Sequence, residues 1–291
     1  MKLCLACKER FDGEPWRCPR CQWQPETRDG YLCFAPDLAE GNDGFSAEYF
    51  GELARLEAAH FWFRQRNRLL IWALRRYFPG AQSFLEIGAG TGFVLAGIRE
   101  ASPHLQVYGC DIFTEALTFA GGRLAGVPLV QVDARRLPFE EEYDVIGAFD
   151  ILEHIERYDH VFREIFRACR PGGGALITVP QHRFLWSALD EYSFHKRRFV
   201  RAELLQAARQ AGFGIVRVTS FVSLLFPLLV LSRLGKRRMR TGFDPRAELR
   251  LHPAVNRILE GGLALERVLI QQGCSFPFGG SLLLVARREA A

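Results

Sequence analysis

Four cysteines fall within the first 21 residues as two pairs, Cys4-x-x-Cys7 and Cys18-x-x-Cys21, with ten residues between them. Each pair presents two thiolates from one tight turn, and two pairs make a tetrahedral set, the chemistry of a closed structural zinc site. Gly13 and Pro19 suit such turns. Cys33 reads as a spare thiol or a substitute ligand, and Cys110, Cys169 and Cys274 as scattered small apolar packing residues.

A second group begins at Phe84-Leu85-Glu86-Ile87-Gly88-Ala89-Gly90-Thr91-Gly92, an apolar run leading into three alternate glycines. Such glycines let the backbone turn tightly and a ligand lie against bare main chain, and the next helix supplies free amides. A dinucleotide fingerprint wants Gly or Ala at position 93, where this chain has Phe93, and no Gly-Lys-Ser/Thr tripeptide is present. The spacing therefore points to a nucleoside not held through a pyrophosphate. Acids follow at successive strand ends. Asp111 can accept both hydroxyls of a ribose, Ile112 can lie on an adenine face, and Asp133 before Ala134 can accept the exocyclic amine. Asp150 ends a further apolar run at the same crevice. For each acid the alternative is a helix cap or a solvated turn.

His154 and His195 are the candidate acid–base residues, because imidazole titrates near neutrality. His154 sits just past Asp150, and His195 lies in a polar segment, residues 190–198, where a lid could form. Either could equally be a structural histidine bonded to backbone.

The elements that must hold these residues alternate. Strands are expected at 83–87, 106–110, 129–132, 143–149 and 175–179, with helices at 93–100, 114–124 and 159–169. This alternation means right-handed βαβ units and a mainly parallel sheet. Residues 201–211 read as a helix, 214–219 as a strand, 254–270 as a helix and 281–286 as a last strand. Three zones follow: a cysteine module at 1–35, a helical extension at 45–80 stopped by Pro79-Gly80, and an α/β domain at 81–291.

Taken in order, these motifs resemble the class I S-adenosylmethionine-dependent methyltransferases. Glu86-x-Gly88-x-Gly90-x-Gly92 is similar to the family's first motif, Asp111 to its ribose-binding acid and Asp133-Ala134 to its adenine-contacting pair. Asp150-Ile151-Leu152-Glu153-His154 is similar to the segment after the fourth strand in the small-molecule and lipid branches. Arg170-Pro171-Gly172-Gly173-Gly174 is similar to the turn before the fifth strand. The resemblance implies a Rossmann-like seven-stranded α/β sheet whose last strand, 281–286, is antiparallel. It also implies that Glu86, Gly88, Ala89, Gly90, Gly92, Asp111, Ile112, Asp133, Ala134 and Asp150 bind the methyl donor. The sulfonium carbon is already electrophilic, so the enzyme chiefly aligns a nucleophile and excludes water. A base is needed only for a nucleophile that carries a proton. There is no Asn/Asp-Pro-Pro-Tyr/Phe tetrapeptide and no strand-end Pro-Cys or Thr-Cys, so adenine-amine methylation and covalent attack on a pyrimidine are set aside.

An oxygen, nitrogen or carbon nucleophile on a small or lipid-like acceptor is the leading expectation. One alternative is an RNA methyltransferase whose zinc-ribbon-like module holds RNA through Trp16, Arg17, Arg20, Trp23 and Arg28. Another is a non-enzymatic nucleotide-binding adaptor. The module itself reads either as recognition element or as a staple for a segment too short to build a core. Residues 221–231 are very apolar but interrupted by Pro227 and too short for a span, which takes about 20 residues. They read as a buried helix over the site. With Arg233, Lys236, Arg237, Arg238 and Arg240 they also read as a peripheral contact, 221–240, with an anionic leaflet. A net charge of +5 is too small to announce nucleic acid by itself. With 48% hydrophobic and 24% charged residues the chain is an ordinary globular one. Cys4 and Cys7 follow Met1 without an apolar leader core, so a cytoplasmic location is expected, with contact at the inner membrane face.

Overall fold

The structure, a computed structural model, describes residues 1–38, 47–234 and 251–290. Near the N-terminus, β1 (Lys2–Leu3) pairs with β2 (Arg10–Phe11), and β3 (Glu26–Arg28) with β4 (Tyr31–Cys33). Two helices follow, α1 (Ala47–Leu56) and α2 (Phe61–Tyr77). The alternating region gives β5 (Ser83–Ile87), α3 (Phe93–Ala101), β6 (Gln106–Asp111), α4 (Thr114–Arg123), β7 (Leu129–Gln131), β8 (Tyr143–Phe149), α5 (Tyr158–Ala168) and β9 (Cys169–Pro180). The chain closes with α6 (Ala188–Tyr192), α7 (Arg201–Gln210), β10 (Gly214–Phe221), α8 (Phe226–Leu234), α9 (Pro253–Gln271) and β11 (Ser281–Arg287).

The strand order β10-β11-β9-β8-β5-β6-β7 is continued at one edge by β4 and β3. Strands β5 to β9 are mutually parallel, and β11 runs antiparallel to both neighbours, with Leu283 opposite Thr178 and Thr219. The expected seven-stranded sheet with an antiparallel last strand is thus present, widened to nine strands by a hairpin from the cysteine-rich zone. Leu32 and Cys33 of that hairpin pair with Val130 and Gln131. Gln131 is wholly buried and locks the joint: its amide donates to the carbonyls of Ala35 and Ile112 and accepts from the Ala35 N–H.

Helices cover both faces, as a parallel sheet buried on two sides requires. One face packs α5 and α7 through Phe162, Ile165 and Leu204, together with Leu5, Trp16 and Phe34 of the N-terminal zone. The other packs α2, α3, α4 and α9 through Leu70, Leu95, Leu117 and Leu263. All five residues of β5 are buried, which is why its sequence reads as a continuous apolar run around Glu86.

Two boundaries differ from expectation. The helical zone divides into two helices, because His60 accepts from the Trp62 N–H and caps a fresh start, while Glu57 turns inward. Strand β9 absorbs the expected turn. The register jumps from Tyr143 opposite Cys169 to Val145 opposite Gly174, so residues 170–173 bulge out. The glycines there are demanded by close approach: a Cβ on Gly173 would lie 2.2 Å from the Asp144 carbonyl oxygen, and one on Gly174 2.1 Å from that of Ala286.

Candidate functional site

The strand order reverses between β6 and β8 on either side of β5, and ligands of open α/β sheets gather at the carboxyl ends of such strands. The glycine loop lies there. Gly88, Gly90 and Gly92 all have positive φ, at 71°, 54° and 75°. Gly88 is required by packing, since a Cβ would sit 2.3 Å from Ile151 Cγ2, and Gly92 because α4 presses on it at Ala120. Gly90 differs: nothing lies within 4 Å of its would-be Cβ. The loop is a cradle open at its middle glycine. Phe93, which argued against a dinucleotide, faces the Arg123 guanidinium at 5.6 Å.

Asp111, 7% exposed, ends β6 beneath this loop and accepts from the Gly90 N–H at 2.9 Å and the Phe113 N–H at 3.1 Å. Burial pushes its carboxyl above the usual range against those hydrogen bonds. Glu86 is 2% exposed, with Oε2 lacking any hydrogen-bond partner. Burial pushes it up to about 8, opposed by Arg66 and reinforced by Asp111 and Glu57. The Ala89 N–H donates to Cys110, and Ala134 is buried nearby. Asp133 follows β7, but its carboxylate turns to Arg135, accepting from that backbone N–H and from Nε at 2.9 Å. Asp150 has a left-handed backbone, φ 56°, and is ion-paired with Arg66. A non-glycine residue there is strained and held by its surroundings.

Beside Asp150 opens a cavity of about 710 Å³. Its walls are largely apolar: Phe61, Trp62 and Phe63 from the start of α2, Val222 after β10, and Leu225, Leu228 and Leu229 from the α8 region. The apolar 221–231 segment therefore forms part of the wall but is not the buried helix expected: only Phe221 and Val222 of it are buried, and Leu228 and Leu231 of α8 are exposed. One end of the cavity is polar, with Glu153, His154, Asp190, His195 and Arg198. Both candidate histidines are there, their rings edge to face with centroids 4.8 Å apart. His195 Nδ1 lies 2.9 Å from Asp190 Oδ1, which also accepts from Arg198 Nε at 2.7 Å. Burial pushes Asp190 up, but His195 and Arg198 outweigh it and hold the carboxyl down to about 2. Burial, with His195 and Lys196, drives His154 down to about 3, a neutral imidazole.

Sequence reasoning missed several of these partners. Glu153 and Asp190 lay inside segments already singled out, so adjacency to a histidine was the available signal. Arg66, Glu57 and Arg123 gave none. Glu57 is 3% exposed, accepts from Thr91 Oγ1 at 2.8 Å and ion-pairs with Arg123, anchoring the glycine loop to the α1–α2 turn.

The four early cysteines converge on one another and do not line this cavity. Cys4 Sγ is 3.6 Å from Cys21 Sγ and Cys7 Sγ is 3.5 Å from Cys18 Sγ, and the four sulfurs lie within 4.8 Å of one another. Cys33 stands apart, buried in β4 with its thiol on the Tyr31 carbonyl. Trp16 is buried against Phe34 and Phe139, and Arg28 pairs with Glu26.

Residues 85–177 match a family model described as a methyltransferase domain. The chain is 28% identical over 205 residues to a malonyl-[acyl-carrier protein] O-methyltransferase of Methylococcus capsulatus, covering 65% of this chain and 74% of that protein. It is 33% identical over 128 residues to a ubiquinone/menaquinone biosynthesis C-methyltransferase of Vibrio parahaemolyticus, covering 40% of this chain and 49% of that one. The chain thus spans about half the length of that quinone enzyme. Among solved structures, phosphoethanolamine N-methyltransferase 2 of Haemonchus contortus with S-adenosyl-L-methionine superposes with a TM-score of 0.50 at 24% identity. That match covers 76% of this chain and 52% of that one and speaks to the fold. Residues 85–177 thus carry a methyltransferase domain, on a sheet whose order and glycine loop are those of the class I S-adenosylmethionine-dependent methyltransferase fold.

Proposed function

We propose that this methyltransferase acts on a small or lipid-like acceptor seated in the cavity beside Asp150. The observation that carries the reading is that cavity: large enough for a drug-sized molecule, apolar along its walls and polar at one end. The names of two relatives point the same way, one a malonyl-[acyl-carrier protein] O-methyltransferase and the other a ubiquinone/menaquinone biosynthesis C-methyltransferase. The donor residues fit an adenosyl sulfonium. Gly90 leaves open space against bare main chain, Asp111 offers a carboxylate for the ribose hydroxyls, and Ile112, Asp133 and Ala134 border the adenine. Glu86 keeps an oxygen without a partner for the donor's ammonium, and Gly88, Ala89 and Gly92 shape the turn. Asp150 stands between donor and acceptor. The acceptor's lone pair attacks the methyl carbon in line, and the carbon–sulfur bond breaks with its electron pair going to sulfur. His154 and His195 face the acceptor's polar group at the polar end of the cavity.

The four thiolates suit a closed structural zinc site. The burial of Trp16 and the pairing of Arg28 favour a staple for residues 1–35 over a base-stacking face. An exposed apolar rim, with Phe184 57%, Phe278 61%, Leu228 56% and Leu231 64% exposed, surrounds α8 and suits peripheral contact with lipid. Arg233 ends that helix, whereas Lys236, Arg237, Arg238 and Arg240 lie outside the described residues. No helix among the described residues is long and apolar enough to cross a membrane. The test is incubation of purified protein and cell extract with isotopically labelled methyl donor. Label in the small-molecule or organic-extractable fraction supports the reading, and label confined to RNA overturns it.

A further inference from the structure

Glu153 is 1% exposed, and neither of its carboxylate oxygens has a hydrogen-bond partner. Buried carboxylates are normally paired, and an unpaired one is costly. Around it stand Asp150, ion-paired with Arg66, and Asp190, ion-paired with Arg198. Asp150 and Asp190 each have a guanidinium partner, whereas Glu153 faces neither at hydrogen-bonding distance.

The groups that Glu153 faces are imidazoles. His195 Nε2 is 3.8 Å from Glu153 Oε1, and its Nδ1 is tied to Asp190. An ionised Asp190 keeps the ring proton on Nδ1, so Nε2 presents a lone pair. His154 is bonded through its ring to the backbone at Phe194 and Ser193. Carboxylate- and carbonyl-oriented imidazoles are the usual supports of metal-ligating histidines. One ligand atom from each of Glu153, His154 and His195 lies within 4.8 Å of the others. Bonds of about 2.1 Å would draw them together by roughly an ångström.

We propose that Glu153, His154 and His195 form a binding site for a divalent transition-metal cation at the polar end of the acceptor cavity, holding the oxygen of a hydroxyl acceptor. Two imidazoles and one carboxylate suit first-row divalent ions better than magnesium or calcium, and leave coordination positions open. The inference rests on the methyltransferase reading and narrows its nucleophile to oxygen. The acceptor hydroxyl, made acidic by the cation, gives its proton to solvent. Its oxygen lone pair bonds the methyl carbon, and the carbon–sulfur pair leaves on sulfur, giving a methyl ether or ester and the thioether by-product.

The probe is manganese(II) alone, added to metal-stripped full-length protein and followed by loss of the free-ion electron paramagnetic resonance signal. Manganese disfavours thiolate sites, so the cysteines do not mask the result. One equivalent is expected to bind to the wild type and to Cys4→Ser, and more than ~10-fold more weakly to Glu153→Gln and His195→Ala. Calorimetry with the methyl donor identifies which variants are folded. Absence of manganese binding by donor-competent wild type overturns the proposal, as does unchanged binding by donor-competent Glu153→Gln. Donor binding without manganese binding sinks the cation site and leaves the methyltransferase reading standing. Manganese binding without donor binding does the reverse.

Discussion

Two buried acids decide how the proposed donor end behaves. Glu86 is held up to about 8 by burial, with Arg66, Asp111 and Glu57 the charges around it. Its folded value is above its unfolded one, so its contribution to stability is full below the ordinary glutamate range and is lost as pH rises through about 8. Replacing it by Gln is expected to flatten the fall in melting temperature between about pH 5 and pH 8, read by thermal denaturation across that range. A fall as steep as the wild type's contradicts the assignment. Glu57 acts through packing: with the Ala54 carbonyl, which also accepts from Arg123, it joins Thr91 and Arg123 to the α1–α2 region. Because Arg123 is partly exposed, Glu57→Ala is expected to cost about 2–3 kcal/mol in chemical denaturation rather than the larger loss of a fully buried pair. A loss within ~0.5 kcal/mol removes that role.

At the level of elements, the glycine loop and the cysteine turns make separable claims. Gly88→Ala meets both a left-handed φ and Ile151 Cγ2. The backbone cost alone is about 1–2 kcal/mol. Donor affinity is expected to fall, and Ile151→Ala in the same chain is expected to restore part of it. Calorimetry on the single and double variants reads this, and no rescue means that Ile151 is not the obstacle. Chelation or Cys4→Ser is expected to lower the melting temperature while leaving donor affinity within about twofold, because zinc stabilises what it folds and the four sulfurs bond one another rather than the glycine loop. A large loss of donor affinity contradicts a staple. Strand ends were legible because buried parallel strands read as apolar runs: Ser83–Ile87 and Tyr143–Phe149 coincide with the expected limits. The break at residues 57–60 and the bulge at 170–173 were not. Both are set by partners distant in sequence: Thr91 and Arg123 for the first, Asp144 and Ala286 for the second.

Across the whole molecule, the proposed donor crevice was legible and the proposed acceptor end only half so. The loop and its acids lie within consecutive βα units, so local pattern places them. Glu153, His154 and His195 meet only after β9 and α6 fold back, and Arg66 reaches Asp150 from a helix outside the alternating region. No periodicity encodes such meetings. The hairpin that widens the sheet was likewise hidden, because three-residue strands at its edge carry almost no pattern. The exposed rim around α8 is expected to carry the wild type upward with anionic liposomes in flotation, and Leu231→Asp to prevent it. Equal behaviour of the two removes the lipid contact while leaving the cavity intact. Titration calorimetry of S-adenosylmethionine and its demethylated by-product, into wild type and Asp111→Ala, bears most directly on the donor site. Stoichiometric binding is expected, weakened about 10- to 100-fold by the substitution, as the loss of charge-assisted hydrogen bonds implies. Well-folded wild type with no affinity for either compound contradicts it.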